Sequence, residues 1–210
     1  MWEDDMREKD DAAKEKILEY AKAEFMERGY ADASMRAIAE RSGCTTGMLY
    51  SRFADKDEIF RELVESPAEE LYNYFVAVQD DFAARDPEFQ RTQMHAYVDA
   101  KIGRMADIIY DNFDAFKLIV CKSNGSSYEF YIDRMVDIET KNTFRFIELL
   151  RSQGLRVNEI RKDFAHMLSS ALFNGMFEVV AHDLSKEDAL HYIGQLQRFF
   201  NAGWDVLLGL

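Results

Sequence analysis

The feature that most constrains this fold is the stretch 34–56, where small, flexible and aliphatic residues follow one another at fixed spacing. Ala39 is small enough to let a second helix approach closely. Gly43 has no Cβ and can adopt a positive φ at a corner, and Leu49 follows six residues later. This order predicts a helix-turn-helix, two short helices joined by a tight turn.

The second of these helices is expected to bury an apolar stripe made of Met48, Leu49 and Phe53. Thr45 stands at its N-cap. Its other side carries hydroxyl and guanidinium donors, the groups that reach phosphate oxygens and base edges in DNA. No acidic residue occurs from 41 to 54, although the chain has 39 acids. The alternative interpretation is an ordinary αα-hairpin on a protein surface.

Residues 16–60, about a fifth of the chain, resemble the N-terminal domain of the TetR family of transcriptional regulators. The matching residues keep the family's spacing throughout; they are Ile17, Ala21, Phe25, Gly29, Tyr30, Ser34, Arg36, Ile38, Ala39, Gly43, Gly47, Leu49, Tyr50, Phe53, Lys56 and Ile59. The resemblance implies an N-terminal three-helix helix-turn-helix domain that binds DNA, followed by a helical bundle for ligand binding and dimerisation.

The resemblance also implies which side chains contact DNA: the tyrosine and the lysine hold phosphates, and the polar face enters the major groove. The residues expected at this interface are Ser34, Arg36, Thr45, Thr46, Gly47, Tyr50, Ser51, Arg52 and Lys56. The family commonly has Lys where this chain has Thr46, and an aromatic residue or His where it has Arg52. The operator sequence therefore does not transfer from a relative.

Composition favours an all-α protein of about nine helices. A hydrophobic content of 48% fits a globular chain, only two prolines occur, and none follows Pro87. Alternating β-branched runs are absent. We expect a frayed segment at 1–11, a DNA-binding domain at 12–60 and an effector-binding and dimerisation domain at 61–210. Pro67 is expected to interrupt or kink the fourth helix, either as a link to the DNA-binding domain or as an ordinary bend.

The remaining helices follow from apolar periodicity and from turn residues between the segments. The expected helix boundaries are 12–28 for the first helix, 88–111, 112–121 and 128–152 for the middle helices, from Asn158 or a neighbour to about Asp183 for the next, and 185–208 for the last.

The net charge of −13 is unusual for a protein that binds DNA, but the local balance matters more. Within 34–56 four basic residues face two acidic ones, so this part is positive while the rest is acidic. Residues 14–57 are neutral overall. That neutrality, together with the missing lysine at Thr46, supports an alternative function: a helical protein-interaction module that has lost DNA binding.

The last two helices mix small and aromatic residues, which suits close helix packing. Helix-turn-helix proteins usually bind two half-sites as dimers, and TetR-like proteins commonly pair through these helices. We therefore expect a homodimer on a palindromic operator, against the alternative of a purely intrachain core. The residues expected in the dimer interface are Ser170, Phe173, Gly175, Phe177, Phe199, Phe200, Gly203 and Trp204.

The middle helices are rich in Met, Phe and Tyr, which line adaptable apolar pockets. The resemblance implies an effector pocket there, for a small molecule that is largely apolar, and a repressor that the effector releases from DNA. The alternative is a plain core. The residues expected in the pocket are His95, Tyr97, Met105, Phe113, Phe116, Tyr128, Tyr131, Met135, Asn142 and Asn174.

Signals for catalysis and cofactors are missing. The sequence has no nucleophile elbow, P-loop or dinucleotide-binding fingerprint, and its histidines and its two cysteines lack metal-ligand spacing. We therefore expect no enzyme activity, no cofactor and no metal. No signal peptide or apolar run of membrane-spanning length is present, so the expected location is the cytoplasm, without membrane contact.

Overall fold

The described chain folds into helices alone, as composition predicts. The computed structural model describes the backbone of residues 2–210 and the side chains of residues 10–210, and contains no strand within them. The helices are α1 (Trp2–Asp32), α2 (Met35–Ser42), α3 (Thr46–Arg52), α4 (Lys56–Ala84), α5 (Pro87–Asp111), α6 (Phe113–Lys122), α7 (Tyr131–Ser152), α8 (Lys162–Ala181) and α9 (Lys186–Leu208). None of these helices is apolar and long enough to cross a bilayer.

The helices form two compact units, whose limits differ from the predicted domains. The first unit holds the chain up to Ala68 together with Asp114–Glu129. The second holds Glu69–Phe113 and Phe130–Leu210. Most of α6 therefore packs with the helix-turn-helix, although the sequence assigns it to the effector-binding domain. The first boundary falls one residue after Pro67, which lies inside α4 without ending the helix.

Four aromatic rings pack at the centre of the first unit. The ring of Phe60 lies edge-on to Phe25 and Tyr30, with centroids 5.2 Å and 5.4 Å away, and its centroid is 6.3 Å from that of Tyr128. Phe60 and Phe25 are fully buried, as is Phe116 in the same unit. Tyr128 and Phe116, which we predicted for an effector pocket in the other domain, therefore lie in the first unit.

The first helix differs from its prediction at both ends. It begins at Trp2, not at Ala12, because no proline or glycine interrupts the charged segment that we expected to fray; Met1 lies outside the described residues. Towards its end Gly29 has φ 75° and ψ 165°. This is an extended conformation open to glycine, and it kinks the helix before its last residues.

The eighth helix begins at Lys162, not near Asn158. The backbone N–H of Asn158 donates to the carbonyl of Leu208 over 3.0 Å, and its side-chain amide donates to the carbonyl of Leu207 over 3.1 Å. Asn158 therefore satisfies carbonyls at the C-terminus of α9, which an intact helix leaves without partners.

Candidate nucleic-acid interface

The corner between α2 and α3 has the geometry that its spacing predicts. Gly43 lies in the left-handed region, with φ 77° and ψ 21°, and its N–H donates to the carbonyls of Ala39 and Glu40. Ile38, Ala39 and Leu49 are buried behind the corner. Because α3 is anchored through its inner side, its opposite side is turned to solvent.

That outer face contains the polar residues that the sequence assigns to DNA contact. Thr45, Thr46, Gly47, Tyr50 and Ser51 are all exposed, Tyr50 by 54%. The Thr45 hydroxyl caps α3 by accepting the N–H of Met48 over 3.2 Å. The hydroxyl proton of Thr45 therefore remains available to an acceptor. The exposed face therefore presents hydroxyl donors and a glycine that permits close backbone approach.

Met48 does not join the inner stripe. Its side chain is 54% exposed, whereas Leu49 and Phe53 are buried. These two residues are four apart and share one side of a helix of only seven residues, and Met48 is turned by about 100° from Leu49. An apolar side chain therefore lies on the outer face, where it can contact a thymine methyl group.

Two predicted contacts lie at the start of α2. The Ser34 hydroxyl caps this helix by accepting the N–H of Ala37 over 3.4 Å, and its backbone N–H donates to the Glu24 carboxylate over 3.2 Å. Arg36, in the first turn of α2, is exposed. No described residue accepts a hydrogen bond from the Ser34 hydroxyl or from the Arg36 guanidinium, so both can meet phosphate oxygens.

Arg52 is held within the chain. Its guanidinium donates to the Asp10 carboxylate and, over 3.1 Å, to the Asp10 carbonyl, and the side chain is only 24% exposed. The sequence places Arg52 on the open reading face. Here the N-terminal turns of α1 supply an acid that competes with DNA for the same guanidinium.

Lys56 is likewise engaged, although the resemblance implies a phosphate contact. Its ammonium donates to the carbonyls of Tyr30, Ala31 and Ala33 over 2.5 Å, 3.1 Å and 3.2 Å. An ammonium has three donors, so these carbonyls use all of them. Lys56 therefore fixes the end of α1 to the start of α4, and a phosphate would have to displace one of these bonds.

A residue that sequence reasoning missed holds α1 against α2. Glu24 is 1% exposed; one of its carboxylate oxygens lies 3.5 Å from Nε of Arg28 and the other 3.5 Å from a guanidinium nitrogen of Arg41. A buried carboxylate needs such partners. The position of Glu24 could have indicated its burial, because it follows Ala21 by three residues and so falls on the buried side of the first helix.

We expect Asp10→Asn to raise the affinity for operator DNA, because it releases the Arg52 guanidinium. An ion pair at a partly exposed site is worth roughly 0.5–1 kcal/mol, which is about a two- to fivefold change. Fluorescence anisotropy with labelled operator measures it. Asp11→Asn is the matched control, since Asp11 is exposed and carries the same charge. Equal gains in both variants would mean that net charge alone acts.

The other eight residues predicted for an effector pocket lie in the second unit. Tyr131 and Met135 are buried in its core at 1% exposure, and Asn174 is exposed and donates to the carbonyl of Ser170. The Tyr110 ring packs against Phe113, with centroids 5.3 Å apart. The aromatic rings and the Met135 side chain fill space between helices. Aromatic and sulfur-containing residues occur both in cores and in pockets, so composition alone could not distinguish a core from a pocket.

Two of the remaining pocket candidates, Tyr97 and His95, lie close to carboxylates. The Tyr97 hydroxyl donates to Asp81 over 2.6 Å, and burial together with this bond raises the pKa of Tyr97 to about 12. The His95 Nε2 atom is buried without a hydrogen bond, 3.7 Å from an Asp205 oxygen. Met105 is half-buried.

Asn142 belongs to a polar chain in the second unit. Its amide donates to Gln79 over 3.2 Å, and the Gln79 amide donates to the Glu139 carboxylate over 2.7 Å. Burial raises the pKa of Glu139. Between the ordinary pKa of a glutamate and this raised value, the folded protein binds more protons than the unfolded chain. The free energy of unfolding therefore falls as pH rises through that interval.

Glu139→Gln is expected to remove this slope and to raise the free energy of unfolding at neutral pH, since an amide oxygen still accepts from Gln79. Urea denaturation at several acidic to neutral pH values tests it. Glu148→Gln, at an exposed position of the same helix, should leave the slope unchanged. A slope that persists in the Glu139 variant would assign the pH dependence to another group.

A cavity of about 400 Å³ does occur in the second unit, but none of the ten predicted residues lines it. It lies between α5 and α9 and is lined by Asp99, Ile102, Gly103, Leu190, His191, Gly194, Gln197 and Arg198. Among the residues with described side chains, no cluster of three or more His, Cys, Asp or Glu could hold a metal ion.

The residues predicted for a dimer interface divide into two groups. Phe173 and Phe177 are buried at 5% exposure, and a Cβ on Gly175 would meet Leu196 of α9 at 3.0 Å. These three positions serve packing inside the chain, because α8 lies against other helices on that side. Phe199 is instead 74% exposed. Gly203 is exposed, whereas Ser170, Phe200 and Trp204 are half-buried.

Further exposed apolar side chains lie on α8 and α9. On α8, Phe164 and Met167 are 41% and 65% exposed, and on α9 Tyr192 and Val206 are 36% and 79% exposed. They recur at intervals of three or seven residues, which keeps them on one side of each helix. We call this set, with Phe199, the α8–α9 apolar face.

Comparisons with known proteins agree with the geometry of the first unit. Residues 17–63 match the family described as "Bacterial regulatory proteins, tetR family". An HTH-type transcriptional regulator of Staphylococcus aureus strain USA300 is 22% identical over 178 residues, covering 83% of this chain and 96% of that regulator. The HTH-type transcriptional repressor KstR2 of Mycobacterium tuberculosis is 36% identical over 67 residues, 32% of this chain and 34% of KstR2.

A solved structure extends the likeness beyond the matched segment. The transcriptional regulator FadR from Bacillus subtilis, crystallised in complex with stearoyl-CoA, superposes with a TM-score of 0.54 over 88% of this chain and 96% of FadR, at 13% identity. The matched segment and the exposed face of α3 define a helix-turn-helix transcriptional regulator that binds DNA. Within that class, residues 17–63 match the TetR family, and the relatives found along the rest of the chain support a TetR-family regulator.

Proposed function

We propose that this regulator is a repressor that binds a palindromic operator as a homodimer and leaves it when a small-molecule effector binds. The observation that carries the proposal is the open side of α3, where hydroxyl groups, a glycine and Met48 face solvent. No acid occurs on this helix or in the turns beside it, from 41 to 54. Such a surface can approach phosphates and base edges without charge repulsion.

The residues expected to contact DNA differ in whether their polar groups already form hydrogen bonds within the chain. Tyr50 is exposed on the outer face and reaches DNA directly. The exposed Ser51 hydroxyl donates to the carbonyl of Met48 over 2.8 Å, and Arg52 first has to leave Asp10. The proposed DNA-binding part comprises the helices of residues 12–60, and the proposed effector and dimerisation part comprises the second unit. The proposed location is the cytoplasm.

The α8–α9 apolar face supports the dimer. A DNA-reading helix of seven residues makes few contacts with DNA on its own. A dimer places two such helices on adjacent half-sites and so adds their contacts together. Large apolar side chains that lie together in solvent mark interaction surfaces. A second copy of the chain suits this face because two identical patches can be self-complementary about a two-fold axis.

Phe199→Asp is expected to prevent dimerisation, because each copy would bury a carboxylate in an apolar interface. We expect the dimer dissociation constant to rise about 100-fold or more. Sedimentation velocity over a concentration series measures it. Phe130→Asp is the control, since Phe130 is 66% exposed and lies outside the α8–α9 apolar face. A dimer that survives Phe199→Asp unchanged would exclude this interface.

An effector is supported by the ligand in a structural relative and by the cavity in the second unit. The FadR relative was crystallised with stearoyl-CoA. Release from DNA requires only that the effector favour a conformation that fits the operator less well. A coupling free energy of about 1–3 kcal/mol changes affinity by roughly 5- to 150-fold.

Selection of bound DNA from a random pool tests the proposal. We expect an enriched palindrome whose half-site centres are about one helical turn apart, and an affinity that falls steeply with salt. Enrichment of no sequence, together with a flat salt dependence, would contradict it. That outcome would favour the second candidate, a protein-interaction module, which the internal pairing of Arg52 and Lys56 supports.

A further inference from the structure

Helices α5 and α9 are joined by polar contacts at both ends. At one end the Tyr110 hydroxyl donates to the carbonyl of Leu184 over 2.9 Å, and Lys186 pairs with Asp107 over 2.7 Å. At the other end His95 Nε2 lies 3.7 Å from an Asp205 oxygen. Residue numbers rise along one helix as they fall along the other, so the two helices run antiparallel.

Between these contacts the two helices border the cavity of about 400 Å³, which opens to solvent. Gly103 and Gly194 both line it, and a Cβ on either would meet no atom within 4 Å. Ile102 and Leu190 supply apolar surface. Cavities of roughly 300–1,000 Å³ with apolar walls and a few polar groups are typical of small-molecule sites.

Gln197 supplies an amide group to this cavity. Gln197 lines the cavity and is 6% exposed, yet none of the described residues forms a hydrogen bond with its amide. The amide can both donate and accept a hydrogen bond, so a bound molecule that offers an acceptor and a donor can pair with it.

The rim carries opposite charges on opposite helices. Asp99 belongs to α5 and Arg198 to α9, and both are exposed. No described residue forms an ion pair with either of them. Their charges therefore remain available on the two sides of one cavity, and His191 beside them is bonded to Gln195 over 2.7 Å.

We propose that this cavity binds a small zwitterion of the free amino acid type, with an ammonium group, a carboxylate and an apolar side chain. The ammonium lies at Asp99, the carboxylate at Arg198, and the Gln197 amide bonds to the ligand between them. The apolar side chain lies against Ile102 and Leu190. This proposal assigns a ligand class to the effector of the proposed function. It rests on the proposed function only in taking the bound molecule to be that effector.

The site is separate from the α8–α9 apolar face. Phe199 follows Gly194 by five residues, and at about 100° per residue the two point about 140° apart around α9. Ligand binding and dimerisation therefore use different sides of this helix. A ligand in the cavity does not need the partner copy to be present.

Isothermal titration calorimetry on the full chain without DNA tests the inference, with L-leucine and L-phenylalanine as probes. Two single-charge analogues of leucine separate the charges: 3-methylbutylamine keeps only the ammonium, and 4-methylpentanoate keeps only the carboxylate. We expect each analogue to bind at least about tenfold more weakly than L-leucine. Equal binding of either analogue, or no binding of both amino acids at millimolar concentration, would overturn the proposal.

Three variants place the ligand. Asp99→Asn and Arg198→Gln should each weaken L-leucine binding about tenfold or more. Gly103→Leu should abolish binding by filling the cavity, and it should fold, because leucine favours a helix more than glycine does. Unchanged binding in Gly103→Leu would overturn the site. Operator binding is measured in a separate experiment. A negative calorimetry result therefore does not contradict DNA recognition, and a negative DNA-binding result does not change the interpretation of the calorimetry.

Discussion

Replacing Thr46 with glutamate is expected to abolish operator binding while the fold stays intact. Thr46 is exposed in the first turn of α3, where a new carboxylate would face DNA phosphates. Like charges brought together at an interface cost several kcal/mol, which corresponds to at least about a 100-fold loss of affinity. The same carboxylate suits the positive end of a helix by about 0.3–1 kcal/mol, so stability should not fall.

Mobility shift with the selected operator and thermal denaturation of the same sample separate these two effects. Gln93→Glu is the matched control: Gln93 is exposed on α5, and the substitution changes net charge equally. We expect the control to bind DNA almost as the parent protein does. If both variants lost affinity alike, overall charge would explain the loss, and the outer face of α3 would not be the reading surface.

Phe60→Ala is expected to lower the free energy of unfolding by about 3–5 kcal/mol, the usual cost of removing a buried phenylalanine. Phe60 is fully buried and packs edge-on against two rings at 5.2 Å and 5.4 Å. The neighbouring rings are held by helix backbones and can close the resulting cavity only in part. A loss of this size would be a large fraction of the stability of a typical domain.

Urea denaturation followed by circular dichroism measures this loss. Phe130→Ala removes the same side chain from a position that is 66% exposed and should change stability by less than about 0.5 kcal/mol. Similar losses in both variants would contradict the assignment of the aromatic cluster as the centre of the first unit.

Local features of the fold were predictable because they depend on residues close in sequence. Thr45 caps its helix as predicted, and Ser34 and Ser185 cap theirs in the same way, each accepting the N–H three residues later. Asp55 does the same for Glu58, although the Glu58 carboxylate reaches the N–H of Ala54 and not that of the capping residue. These bonds form within one turn, so a short sequence pattern determines them.

Features that join distant residues were not predictable in the same way. Nothing near Arg52 in the sequence indicates Asp10, and nothing near Lys56 indicates the carbonyls at the end of α1. The cavity was missed for a related reason. Aromatic content pointed to the middle helices, whereas the cavity is lined by residues of two helices, among them Gly103 and Gly194, that come together only when α5 and α9 pack.

The separation of the surfaces of α9 has an evolutionary consequence. One side of the helix lies against α8, a second borders the cavity, and a third carries Phe199 and Val206 in solvent. A mutation that alters one side leaves the side chains of the others in place. Descendants of this chain can therefore acquire a new chemical signal and keep the same pairing partner, or separate from sister proteins while still responding to the old signal.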